Sequence, residues 1–151
     1  MIYIAVDPGK SGAIAVSDGG KVHYDKMPEN MYEIQDYFNE ISKFQECICV
    51  IERLHKGMAA QGPRKGVKAI WSQAENYTAI LCALYNAEIK TIQVTPQNWM
   101  GKMNGQRPKE YGERKSWLHE HAKGLYPELK SPKYAADALC ILSLMNHYIM
   151  D

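Results

Sequence analysis

The 151 residues read as an α/β domain of five strands and several helices. Three observations carry that reading. A strand-length apolar run at the start, Ile2-Tyr3-Ile4-Ala5-Val6, reaches Asp7, turns through Pro8-Gly9 and returns as Ala13-Ile14-Ala15-Val16. Further apolar runs of strand length then alternate with segments whose apolar residues recur every three or four positions. Hydrophobic residues make up 46% of the chain, enough at this length for a single core, so residues 1–151 are expected to form one domain.

Residues 1–7, 12–17 and 20–26 read as three short strands, with Gly9 and Gly12 in the first turn and Asp18-Gly19-Gly20 in the second. A helix over 31–44 places Met31, Ile34, Tyr37, Phe38 and Ile41 on one side. The run Cys47-Ile48-Cys49-Val50-Ile51 has strand length and ends on Glu52. A basic loop leads into a helix over 67–86, where Val67, Ile70, Trp71, Ala74, Tyr77, Leu81 and Leu84 share a face. Residues 88–94 form the last strand, closed by Thr95-Pro96, which opens a short helix through Trp99. The glycines, prolines and charges of 101–112 make a loop, and 113–124 a helix. The final helix is expected to start at a Ser131 cap, carry Pro132 in its first turn and run to about residue 149.

Composition narrows the function. No apolar run is long enough to span a bilayer, and an acid at position 7 with no basic leader argues against a secretory signal. Cys47, Cys49, Cys82 and Cys140 lie mostly in apolar segments, as thiols do in a reducing compartment, so a cytoplasmic protein without a membrane partner is expected. The spacing of Cys47, Cys49, His119 and His121 fits no zinc-finger pattern. Net charge is only +1, but it is segregated: residues 53–68 carry +5, residues 101–115 carry +3, and the rest of the chain −7. Such segregation points to a polyanionic partner.

Three acids sit among residues that leave water. Asp7 ends the first strand, Glu52 ends the fourth, and Asp137 lies in Ala135-Ala136-Asp137-Ala138-Leu139-Cys140-Ile141, an almost wholly apolar helix. A carboxylate in such surroundings is costly unless a positive charge compensates it. If the first and fourth strands are adjacent and parallel, Asp7 and Glu52 emerge at one edge, and the alanines let the helix of Asp137 press against it. Hard divalent ions with oxygen ligands, Mg²⁺ first and Mn²⁺ as an alternative, resolve the repulsion of three such groups.

The order of these motifs resembles the ribonuclease H-like nucleases, and specifically the RuvC-type Holliday junction resolvases, including small phage-like members. The matching residues are Ile4-Ala5-Val6-Asp7-Pro8-Gly9 with Ser11-Gly12, Val50-Ile51-Glu52, and Ala136-Asp137-Ala138-Leu139. Thr95-Pro96 and a Lys115 opening a helix after a basic loop also fit, so the resemblance spans essentially the whole chain. It implies a ribonuclease H-like fold: a mixed five-stranded sheet, strands one to three antiparallel, strands four and five parallel to the first, flanked by helices. It also implies that Asp7, Glu52 and Asp137 are catalytic and bind metal, about two ions per site in the mechanism of such centres. The chain departs from the family at the fourth ligand. RuvC-type enzymes carry Asp or His three or four residues before the last Asp, whereas Tyr134 and Lys133 stand there here, Lys133 as an auxiliary cation.

The implied activity is metal-dependent hydrolysis of phosphodiesters in four-way DNA junctions, by a homodimer, in a bacterial or phage setting. Arg53, Lys56, Arg64, Lys65 and Lys68 leave the sheet beside Glu52, and Lys102, Arg107, Lys109, Arg114 and Lys115 form a second group. Both are expected to hold DNA phosphates, contacts that read shape rather than sequence. Gly57, Gly62, Gly66 and Pro63 let the first loop approach closely, and Met58 is a candidate wedge at a branch point. The helix over 67–86 is the expected dimer element, with Trp71 and Tyr77 in the core or a subunit interface and Trp99 and Trp117 as packing residues. Gly9-Lys10-Ser11 is no P-loop, because the glycine required five residues earlier is Ile4. Two other readings stay open: a nuclease for RNA–DNA hybrids or other branched substrates, and a junction-binding protein without catalysis.

Overall fold

A computed structural model describes residues 1–54 and 66–149. The chain runs β1 (Ile2–Asp7), β2 (Ala13–Asp18), β3 (Lys21–Lys26), α1 (Met31–Ser42), β4 (Cys47–Glu52), α2 (Val67–Asn86), β5 (Lys90–Val94), α3 (Pro96–Met100), α4 (Tyr111–Leu125), α5 (Ala136–Ser143) and α6 (Asn146–Ile149). Single 3₁₀ turns at Pro127–Leu129 and Lys133–Ala135 link α4 to α5. The five strands form one sheet in the order β3-β2-β1-β4-β5. β1 pairs antiparallel with β2, and β2 with β3, while β4 is parallel to both β1 and β5.

Strand alternation divides the core in two. Ile2, Ile4, Val6, Ile14, Val16, Cys49 and Ile51 face α1 and α2, where Ile34, Phe38, Ile80, Ala83 and Leu84 meet them. Ala5, Ala13, Ala15, Ile48, Val50 and Val94 face the other way, against Trp99, Leu118, Ala122 and the length of α5. Alanines on both sides of that second contact, Ala5, Ala13 and Ala15 on the sheet and Ala135, Ala136 and Ala138 on the chain above, bring α5 onto β1 and β2.

Several expected boundaries move. The strand expected over 88–94 begins at Lys90, because α2 closes with Glu88 in the left-handed region at φ +56°. Ile89 N–H then bonds the Leu84 carbonyl at 3.0 Å, a Schellman-type end built without glycine. Helix α4 starts at Tyr111, two residues earlier than expected, because the Glu110 carboxylate caps it by accepting from Glu113 N–H at 2.7 Å. The final helix is not one continuous element, and Ser131 does not cap it. Its hydroxyl is buried without a hydrogen-bond partner among the described residues, and the following turn is 3₁₀. Beyond it, Ser143 Oγ donates to the Cys140 carbonyl at 2.7 Å, while Leu144 N–H turns back to Ile141. That competition ends α5 at Ser143.

The face expected on the helix over 67–86 is also corrected. The buried stripe of α2 is Asn76, Ile80, Ala83 and Leu84, while Val67 and Trp71 are 83% and 67% exposed. Met31, expected on the inner side of the preceding helix, is exposed as well. Among the described residues no helix is long and apolar enough to cross a membrane.

Candidate active site

The site grows out of register. Val6 of β1 lies opposite Ile51 of β4, so the next residue of each strand, Asp7 and Glu52, leaves the sheet at the same edge. Ala5 and Val50 belong to the core under α4 and α5, and two residues further along a strand the side chain returns to the same face. Both carboxylates therefore point toward α5, where Asp137 occupies the first turn. A carboxylate there is favoured by the positive end of the helix. Asp7, Glu52 and Asp137 line one cleft of about 440 Å³ together with Arg107, Arg114, Lys115 and Lys133.

The turn that delivers Asp7 is fixed twice. Gly9 adopts φ +121°, and its N–H donates to the buried Asn76 Oδ1 on α2 at 2.7 Å. A Cβ on Gly12 would collide with the Asp7 carbonyl oxygen, so only glycine fits there. On the neighbouring strand Glu52 is 6% exposed and accepts a hydrogen bond from Trp99 Nε1 at 2.7 Å. Trp99, fully buried on α3, is thus a positioning residue as well as a packing one. Burial, and then the Asp137 charge, push the Glu52 carboxyl up to about 7, against the opposing pull of the Trp99 indole, Lys115 and Arg114.

Lys115 Nζ donates to Asp137 Oδ2 at 2.6 Å, with the Asp137 side chain 6% exposed and that of Lys115 37%. Burial works against the lysine charge, but Asp137 and then Asp7 outweigh it and hold the amine above its ordinary range. The chemistry of the donor set, three carboxylates in one cleft, is that of a hard divalent cation. Yet among the described residues no three His, Cys, Asp or Glu side chains stand together as a ready metal cage. The positions at which the sequence resemblance implies a fourth ligand are occupied otherwise. Lys133 is exposed at the cleft, and Tyr134 is pinned to β3 by an edge-on Tyr24 ring at 6.1 Å and by Lys26 Nζ, 5.4 Å from its centroid.

The basic residues separate. Arg107, Arg114 and Lys115 reach the cleft itself. Arg53 is exposed directly after Glu52, its N–H bonded to the Val94 carbonyl, and Lys68 is exposed in the first turn of α2. Lys102 lies over the Tyr148 ring at 5.6 Å, and Lys109 is exposed on the loop before α4. Lys56, Arg64, Lys65, Gly57, Met58, Gly62 and Pro63 lie outside the described residues. Sequence reasoning missed Asn76 and the role of Trp99. The only signal for Asn76 was an amide on a helix otherwise read as apolar there, and for Trp99 an indole soon after the strand-closing Thr95-Pro96.

A three-stranded antiparallel meander extended by two parallel strands, with helices on both faces and acids at the ends of the first and fourth strands, is a ribonuclease H-like fold. Within that class the fold is RuvC-type. The structure of Thermus thermophilus RuvC superposes with a TM-score of 0.65 at 17% identity, covering 99% of this chain and 96% of that one. T. thermophilus RuvC in complex with Holliday junction substrate gives a TM-score of 0.65 at 16% identity, covering 99% and 95%. At this identity the likeness is one of fold. No family model matches the chain, and no curated protein does.

Proposed function

We propose that the protein is a metal-dependent, structure-specific DNA endonuclease that resolves four-way junctions. The observation that carries this is the meeting of Asp7, Glu52 and Asp137 with four cationic side chains in one cleft of a RuvC-type fold. Asp7 and Glu52, side by side at the sheet edge, would hold a divalent ion, Mg²⁺ or Mn²⁺, with Asp137 completing the acidic centre. Such an ion supplies Lewis-acid neutralisation of the phosphate and a more acidic water for attack on phosphorus.

The chain's own residues do the rest. Glu52 binds a cation only when ionised, so burial and the Asp137 charge, which both raise its carboxyl, favour the centre toward higher pH. Trp99 holds one Glu52 oxygen in place, leaving the other for the ion. Arg107, Arg114 and Lys133 present positive charge to the phosphate from the cleft walls, and Arg53, Lys68, Lys102 and Lys109 extend the grip outward. Cutting two strands of a junction calls for two such centres. The exposed apolar residues Met31, Tyr32 and Trp71, which line a groove between α1 and α2 on the opposite side of the sheet from the acids, are the surface we assign to a second copy of the chain.

The test is a substrate panel: a synthetic four-way junction, a linear duplex and an RNA–DNA hybrid, each with Mg²⁺, Mn²⁺ or chelator. Paired symmetric nicks in the junction alone, lost with chelator and abolished in Asp7→Asn while junction binding persists, are expected. Nicks in the hybrid instead would make this a nuclease of another specificity. Junction binding without nicks under any metal would favour a non-catalytic binder, a reading to which Lys133 and Tyr134 at the fourth-ligand positions lend weight.

A further inference from the structure

The cation that Asp137 already has beside it carries a consequence for how many ions the cleft takes. Lys115 is not a surface lysine that happens to fold inward. It lies on the same stripe of α4 as the buried Leu118 and Ala122, three and seven residues on, so its stem enters along the apolar side of the helix. Its ammonium meets Asp137 Oδ2 at 2.6 Å. With Arg107, Arg114 and Lys133 it brings the cleft to four positive side chains against three carboxylates. Two divalent ions placed among these groups would leave a large excess of positive charge for a single phosphodiester. Of the side chains that line the cleft near Asp137, Lys133 brings a further positive charge and Tyr134 no carboxylate.

We propose that Lys115, paired with Asp137, is the built-in counterpart of a second metal, so that each protomer takes one divalent ion, at Asp7 and Glu52. This rests on the nuclease reading above and specifies its centre. It makes Lys115 a cation of the reaction centre rather than one more contact to DNA outside it.

Bound Mn²⁺ counted by loss of its free aqueous electron paramagnetic resonance signal, on the full chain without DNA, tests this. The wild type should bind one ion per protomer. Lys115→Met should bind two, and Lys115→Arg, which keeps the charge, should stay at one. Asp137→Asn should also retain its single ion, because that ion does not depend on Asp137. Circular dichroism melting checks that each variant is folded, and the Arg and Asn variants decide the matter if the Met variant is not. The metal dependence of junction cleavage gives a second reading, with a Hill coefficient near one in the wild type. Two ions in the wild type, no gain in folded Lys115→Met, or loss of the ion in Asp137→Asn would each overturn the one-ion centre alone. No ion in any variant, together with no cleavage, would overturn the nuclease reading and this proposal with it.

Discussion

The two faces of the sheet are covered by different physics. Toward α1 and α2, the strands present Ile4, Val6, Ile14 and Ile51 to Phe38, Ile80 and Leu84, large side chains packed without charge. Toward α4 and α5, the strands present alanines, the helix comes close, and the contact ends in a cleft where buried acids meet basic residues. The first face mainly stabilises, apart from Asn76 of α2 that holds the Asp7 turn, and its outer helices still expose Trp71 and Val67. The second gives up stability, because Glu52 is held in surroundings that disfavour its charge. Stability and chemistry are thus segregated across a single sheet, and substitutions on the two sides should move them in opposite directions.

The largest effect is expected from Phe38→Ala. Removing a fully buried ring from the apolar face should cost about 3–5 kcal/mol in chemical denaturation, while junction cleavage by the protein that remains folded is unchanged. On the other face, Glu52→Gln should abolish cleavage and raise stability by about 3 kcal/mol at pH 8. The sign follows from linkage. Native Glu52 keeps its proton up to about 7, whereas the unfolded chain releases it at the ordinary carboxylate value. Between those two values the wild type loses stability as pH rises, so the advantage of the amide should vanish below pH 4 and be complete above 7. A denaturation series from pH 4 to 8 that shows no such trend would remove the contrast between the faces.

Trp99→Phe keeps the packing and removes the indole donor, which should cost about 1 kcal/mol. Without that bond Glu52 should hold its proton to higher pH, so the pH midpoint of cleavage should move upward, a shift that a purely structural role for Trp99 would not produce. The smallest effect on stability is expected at the outer edge of the apolar side. Trp71→Ala, at 67% exposure, should stay within about 0.5 kcal/mol of wild type. Sedimentation velocity should nevertheless show a loss of self-association, and an unchanged dimer would move the partner surface elsewhere.

Much of the frame was legible without coordinates because it depends on short-range rules. Apolar runs of strand length bounded by turn residues placed all five strands, and Asp18-Gly19-Gly20 announced the β2–β3 turn, where Gly19 and Gly20 take positive φ. Where local chemistry imitates another pattern, the reading slipped. Glu88 ends α2 in a conformation usually left to glycine, and Ser143 stops α5 by bonding a carbonyl that a longer helix would have used. On α2 apolar residues run together at 69–71 and 79–85 and so fall on every side, and periodicity alone could not separate the buried side from the exposed one.

The acids follow the same division. That Asp7 and Glu52 share a face follows from parity along two apolar strands, since each lies two residues beyond a core side chain, and this was fixed once the strands paired in parallel. Which cation meets Asp137 was not so fixed, because Lys115 lies 22 positions away and reaches it only through the packing of α4 on α5. The same holds for Trp99 on Glu52, 47 residues apart, and for Asn76 on Gly9, 67 apart. Periodicity and turn chemistry act over a few residues and so are written in the order of the chain. Charge pairing and side-chain hydrogen bonds act through space, and their partners exist only after the helices have docked.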